Sequence, residues 1–206
     1  MTDIEREKRA AAEAAAALVE DGMTVGLGTG STVAFLLPAL AARHLRDLRC
    51  VSTSQATEDQ ARELGLPVEP FEQLDRLDIA IDGADQVTPD RWLIKGGGGA
   101  HTREKIVAAA ADRFVVIVSS DKLVDALRPP VPLELLPYGL PATLRALQPV
   151  TVRSAPPSPD GGVIADYQGE IGDPAELAAR LAGTPGVVEH GLFTPDLVND
   201  VVLGRP

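Results

Sequence analysis

Short apolar runs at 24–27, 48–53, 77–81 and 114–118, separated by segments of helical pattern, constrain this chain more than anything else in it. Strands alternating with helices at this spacing imply right-handed βαβ units and a mostly parallel sheet covered on both faces by helices. Ligands of such sheets bind beyond the carboxyl ends of the strands. The turns at those ends are therefore the first place to look for chemistry.

The helical segments carry their own punctuation. Residues 4–20 are rich in Ala, with charges at the front, and read as an amphipathic helix ending near Gly22. Ser31 or Thr32 is expected to cap the next helix, which carries Phe35, Leu36, Leu37 and Leu40. Pro38 inside it predicts a kink or an early stop. A helix at 57–64 closes on Gly65, a residue tolerant of φ > 0. A short strand at 92–95 enters four consecutive glycines, Gly96 to Gly99, and a helix follows at 102–111.

The texture changes near Leu127. Pro129, Pro130, Pro132, Pro137 and Pro141 read as a connection that cannot be a central strand. A short helix (142–147), a loop (154–162), a strand (163–167), a helix (174–182) and a strand (187–193) then make a smaller α+β lobe. Residues 201–203 return as a final strand. The expected division is a large domain of 1–127 and 196–206 and a small lobe of 128–195.

Composition excludes several classes. A formal net charge of −11 argues against nucleic acid as the partner, since phosphate backbones are bound by clustered Lys and Arg. A small anion is different: it needs only backbone N–H groups and one or two cations. Cys50 is the only cysteine, so no intrachain disulfide can form. No stretch approaches the roughly 20 apolar residues of a membrane span, and the charged start is not a secretory signal. No membrane partner is expected, and the expected compartment is the cytoplasm.

Three polar motifs lie at strand ends. Gly28-Thr29-Gly30-Ser31-Thr32 can form a phosphate cradle from close backbone approach, hydroxyls and helix N-terminal amides. Val33 replaces the third glycine of a dinucleotide fingerprint, and no Gly-Lys-Ser/Thr follows as in a P-loop. A turn of this kind also serves as a plain strand-to-helix connection. Asp82 and Asp85, with Gly83 and Ala84 keeping the turn small, can divide into a proton carrier and an orienting charge. They serve equally as solvated turn residues or as ligands of a hard cation; no His or Cys cluster marks a transition-metal site. Lys95 precedes the glycine run and Glu104 follows it: a cation to neutralise an oxyanion and a carboxylate to shuttle a proton. Four glycines in a row are costly in entropy and imply a backbone shaped around a ligand.

Taken together, GLGTGSTV (26–33), TSQATEDQARELG (53–65), DIAIDGAD (78–85) and IKGGGGAHTREKI (94–106) resemble ribose-5-phosphate isomerase of type A. Weaker matches follow at SDKLV (120–124), at 132–137 and at PGVVEHGLF (185–193). The resemblance implies a Rossmann-like sheet with a small lobe, and an aldose–ketose isomerase of the non-oxidative pentose phosphate pathway acting through an enediolate. It implies no cofactor and no metal. The partner is a small sugar phosphate, and the assembly a homodimer or a dimer of dimers.

By that resemblance Glu104 is the base that moves a proton between C1 and C2. Asp82 and Asp85 contact sugar hydroxyls, with Asp82 a candidate for assisting ring opening, and Lys95 with the Gly96–Gly98 backbone stabilises the developing oxyanion. Thr29, Gly30, Ser31, Thr32, Gly83, Ala84, Gly96, Gly97, Gly98 and Lys122 line the substrate. A glutamate with an ordinary pKa of about 4.3 serves better as a base if burial raises it.

The chain departs from the family pattern at Gln86, where Glu is usual, at His101, where an apolar residue is typical, and through Ser154-Ala155-Pro156-Pro157. His101 stands three residues before Glu104 and is read as a packed or capping residue. A competing class is a sugar-phosphate sensor attached to a DNA-binding helix-turn-helix. The short stretch before the first strand is too small for such a module, and a sensor has no use for a proton shuttle at Glu104.

Overall fold

The computed structural model describes residues 1–205; Pro206, within the stretch expected to rejoin the large domain, lies outside them. The chain forms two compact units. One holds Met1–Ala84, Arg103–Leu123 and the residues from Asp196 on; the other holds Asp85–Thr102 and Val124–Pro195.

The first unit is built on a five-stranded sheet in the order Asp200–Leu203, Phe114–Val118, Ile79–Asp82, Thr24–Leu27, Arg49–Ser52. Every pairing is parallel. Ile79–Asp82 and Phe114–Val118 are buried along their whole length, as strands covered on both faces must be. Helix Asp3–Ala16 opens with a capping box. Glu5 N donates to Thr2 Oγ1 at 3.2 Å, and Thr2 N donates to Glu5 Oε2 at 2.7 Å. The helix ends at Ala16 rather than near residue 20, and the Arg43 guanidinium donates to the Ala16 and Val19 carbonyls there. Its small face (Ala11, Ala12, Ala15, Ala16) shares a core with Leu36, Leu37, Leu40 and the strand residues Val25 and Ile81.

In the next helix neither the early stop at Pro38 nor the side-chain cap from Thr32 is seen. Val33–Ala41 runs through Pro38 without stopping. A mid-helix proline costs about 3 kcal/mol, and burial of Val33, Leu36, Leu37 and Leu40, at roughly 1.5–3 kcal/mol for each large side chain, outweighs it. Thr32 occupies the N-cap position but makes no capping bond, because its φ of −80° and ψ of −38° are already helical, not the extended geometry a cap needs. Gly65, by contrast, takes φ +78° after helix Gln55–Glu63, as expected.

The second unit holds a four-stranded antiparallel sheet, Val187–His190, Val131–Leu135, Val163–Tyr167, Val150–Val152, and a three-stranded one, Leu192–Phe193, Leu93–Ile94, Gln86–Val87. The proline-rich segment expected not to supply a central strand does supply one. Val131–Leu135 lies between two neighbours, with Pro132 opposite Asp166. The proline is tolerated because pairing to the other neighbour stops at His190–Leu133, one residue short of it. Its carbonyl still accepts from Gly191 N at 2.7 Å.

The single strand expected at 187–193 is two strands that join different sheets, split at Gly191. That residue donates to Pro132 O and accepts from Lys95 N at 2.9 Å. Helices Leu140–Ala146 and Pro174–Ala182 complete the unit; the second is capped by Asp173, which accepts from Ala175 N and Glu176 N. Its core gathers Ile94, Leu133, Leu135, Tyr167, Leu181 and Leu192. Among the described residues no helix is long and apolar enough to cross a membrane.

Candidate active site

In chain order the first unit's strands lie 2-1-3-4-5, so the winding reverses between Thr24–Leu27 and Ile79–Asp82. Adjacent strands whose connections leave toward opposite faces open a crevice at their carboxyl ends. Gly28 and Asp82 sit there. Gly28 N donates to Ile81 O at 3.0 Å, and a Cβ on Gly28 would lie 1.9 Å from Asp82 Cγ. Only glycine allows the two chains this approach. Asp82 is 3% exposed, and its Oδ1 accepts from Thr29 N at 3.0 Å and Gly83 N at 2.7 Å.

Thr29 extends the cluster to the second strand: its hydroxyl lies 2.7 Å from Thr53 Oγ1 and donates to Ser54 Oγ at 2.8 Å. Thr57 Oγ1 donates to Gly28 O at 2.9 Å. Lys8 Nζ, from the first helix, donates to Ser31 Oγ at 2.9 Å and brings a cation to the glycine turn. Lys122 lies in the turn Ser120–Lys122 after the fourth strand, with Nζ 3.2 Å from Asp121 Oδ2. Glu7 Oε2 accepts from Ser120 N at 2.6 Å and ties that turn to the first helix. Glu104, 5% exposed, is in the first turn of helix His101–Ala110.

The second unit carries the remaining expected residues. Lys95 is 3% exposed, with Nζ 5.6 Å from the centre of the Phe193 ring, a face that attracts cations. Gly96 takes φ +106°, and a Cβ on it would sit 2.7 Å from His101 Nδ1. His101 is wholly buried, which matches its reading as a packed residue. Gly97 N donates to Asp85 Oδ2 at 2.8 Å, so the carboxylate of Asp85 grips the glycine loop. Gln86 makes a reciprocal pair with the Arg128 backbone, donating from Nε2 to its O at 2.8 Å and accepting at Oε1 from its N at 2.9 Å.

Lys8 lies outside every motif read from the sequence, whereas Thr53, Ser54 and Thr57 fall within the 53–65 segment that carries the resemblance, which assigns them no site role. Thr53 and Ser54 do end a strand, and the strand-end rule applied to every strand finds them. Lys8 sits in a run of ordinary helix-surface charges, and only the fold turns it toward Ser31.

A doubly wound parallel sheet with a buried carboxylate and a hydroxyl-bearing glycine turn at its switch point defines an α/β protein of the Rossmann-like class. Comparison with known proteins narrows this. The sequence profile of ribose 5-phosphate isomerase A (phosphoriboisomerase A) matches residues 49–206. Ribose-5-phosphate isomerase A of Caulobacter vibrioides (strain NA1000 / CB15N) is 45% identical, over 96% of this chain and 93% of its own. The crystal structure of ribose 5-phosphate isomerase A from Neisseria gonorrhoeae has a TM-score of 0.93 at 34% identity, covering 99% of this chain and 94% of its own. A D-ribose-5-phosphate isomerase in complex with phospho-erythronic acid covers both chains completely, with a TM-score of 0.91 at 35% identity. The chain belongs to the ribose 5-phosphate isomerase A family.

Proposed function

We propose that this protein interconverts D-ribose 5-phosphate and D-ribulose 5-phosphate through an enediolate, with Glu104 as the base. The observation that carries the reading is the burial of three charged side chains, Asp82, Lys95 and Glu104, at 3%, 3% and 5% exposure. Burying charge is costly, and buried charges gather where chemistry needs them. The relative solved with phospho-erythronic acid supports a phosphorylated sugar as the ligand.

The reaction needs no redox step and no covalent nucleophile. Asp82 assists opening of the sugar ring by accepting the C1 hydroxyl proton as the bond from C1 to the ring oxygen breaks, and by returning that proton to the ring oxygen, which becomes a hydroxyl. Glu104 then takes the proton from C2; the C–H electron pair forms the C1–C2 double bond, and the negative charge moves to the carbonyl oxygen at C1. The Lys95 ammonium and the amides of the glycine loop stabilise that oxygen, as donors fixed before charge develops do best. The C2 hydroxyl's proton passes to the C1 oxygen. The C2–O⁻ electrons then form the ketone as the C1–C2 double-bond pair takes the proton that Glu104 returns to C1.

Thr29, Gly30, Ser31 and Thr32 hold the substrate beside Gly83 and Ala84. Lys8 and Lys122 supply positive charge to the phosphate. Asp85 acts partly through the loop it grips. The protein works in the cytoplasm as a homodimer or a dimer of dimers, as its family resemblance supports, and no step requires a metal.

Turnover of ribose 5-phosphate, followed with EDTA present, tests the reading. E104Q keeps the shape of the side chain but not its basicity. Its kcat is expected to fall by about 10²–10⁴, with KM little changed, because the base acts chiefly in the transition state. Near-normal turnover in E104Q would sink the assignment. Wild-type protein that binds ribose 5-phosphate without converting it would favour the sensor reading.

A further inference from the structure

Arg153 was absorbed by none of the motifs, yet its contacts lead to the glycine loop. Its Nε and Nη2 donate to Asp166 Oδ2 and Oδ1 at 2.7 and 2.6 Å, a bidentate pair. Its Nη1 donates to Gly96 O at 2.9 Å and to Gly97 O at 3.0 Å. The side chains of Arg153 and Asp166 are only 21% and 16% exposed. The Asp166 carboxylate holds the guanidinium's pKa above its ordinary value, with Asp85 adding to the same effect.

We infer that Arg153, locked by Asp166, is a positioning residue that aims the Gly98 amide for oxyanion stabilisation. The argument follows from peptide geometry. In a trans peptide the N–H points away from the C=O of the same unit. The unit that carries Gly96 O also carries Gly97 N–H, and that N–H goes to Asp85. The unit that carries Gly97 O carries Gly98 N–H. With Gly97 O drawn to the guanidinium, Gly98 N–H faces the opposite way. Arg153 thus holds two successive carbonyls on one side, and Asp85 takes the first of the two amides. The second is left with its direction fixed. A planar fork with five donors suits this task, since one side chain reaches a carboxylate and two carbonyls together.

The inference rests on the glycine loop being the oxyanion site, so its test is run beside E104Q. Removing an oxyanion donor outright costs about 10²–10³ in kcat. Loosening one by R153A is expected to cost roughly ten- to a hundredfold in kcat, with KM changed less than about threefold. R153K, a point charge without the fork, should recover little. Guanidinium ion added to R153A below denaturing concentration should restore part of kcat without altering KM.

D166N, which loses one of the two charge-assisted bonds, should show a smaller kcat loss in the same direction, measured at a temperature where the variant is still folded. Wild-type kcat in R153A would overturn the inference. So would a parallel loss of kcat and KM that tracks a fall in midpoint and is not rescued by guanidinium, since that marks a merely structural ion pair. If E104Q loses turnover while R153A keeps it, only this inference fails. If E104Q keeps turnover, the assignment of the base fails first.

Discussion

G28A adds one methyl group at the point where two strand ends meet most closely. Its Cβ would lie 1.9 Å from Asp82 Cγ, 2.0 Å from Oδ1 and 2.4 Å from Asp82 Cβ. Rotating the carboxylate relieves the first two contacts but not the third, since Cβ is fixed to the backbone. The strands must separate locally, which strains the 3.0 Å bond from Gly28 N to Ile81 O and the 3.0 Å bond from Thr29 N to Asp82. Overpacking of this kind costs about 1–3 kcal/mol, and loss of a hydrogen bond to a charged group about 1.5–3 kcal/mol.

The sum, about 3–6 kcal/mol, is a large share of the roughly 5–15 kcal/mol that holds a domain together. At about 2–4 °C per kcal/mol for a chain of this size, the thermal midpoint should fall by roughly 6–24 °C. Asp82 is displaced as well, so turnover of ribose 5-phosphate at a temperature where the variant is still folded should drop about a hundredfold or more. Circular dichroism melts and the isomerase assay on one preparation read both effects. A wild-type midpoint together with wild-type turnover would refute the close approach and the placement of Asp82.

Other changes probe separate contacts. Q86E removes the donor to Arg128 O and sets a carboxylate against that carbonyl; the midpoint should fall by about 2–8 °C, and an unchanged melt would dismiss the pairing. K8M removes the cation that donates to Ser31 Oγ; KM for the sugar phosphate should rise about tenfold or more, and an unchanged KM would take Lys8 out of the site. Asp78 Oδ2 accepts from Thr24 N at 2.7 Å, and this backbone bond, with the Thr24 hydroxyl adding to it, holds the Asp78 carboxyl below the usual carboxylate range. A lowered folded pKa stabilises above the unfolded value of about 3.9, and the stabilisation is lost as pH falls through the folded pKa. D78N should therefore lose less stability than wild type between pH 6 and pH 3 in urea titrations; identical acid limbs would contradict this.

Much of the first unit was legible because a parallel sheet leaves strong marks. Phe114–Val118 is a continuous apolar run; Asp82 ends a strand, Gly28 directly follows one, and Lys122 lies in the turn just beyond another. Strand order was not legible, since nothing in Thr24–Leu27 names its neighbours; the switch point emerges only from pairing. The second unit was harder. Pro132 argues against a central strand by a sound rule, and what overrides it is the register of Val187–His190, a tertiary fact. Val150–Val152 and Gln86–Val87 are too short to show a period. Arg153 was invisible for a related reason: its partners lie at 96, 97 and 166, and no local pattern links them.

The sheet's pairing order also sets a schedule for synthesis. Phe114–Val118 pairs with Ile79–Asp82 on one side and with Asp200–Leu203 on the other, and that second partner lies about eighty residues further along the chain. At about 5–20 residues per second, the ribosome needs roughly 4–16 s to deliver it. During that interval a charge-free run, Phe-Val-Val-Ile-Val, stands with one edge unpaired, the kind of segment that recruits strands from other chains. The nascent chain is most vulnerable to aggregation then, after most of its parallel sheet has been made and before its last strand has left the ribosome. Holding chaperones, or slower initiation that keeps neighbouring nascent chains apart, should raise soluble yield more than any change to the finished protein's core.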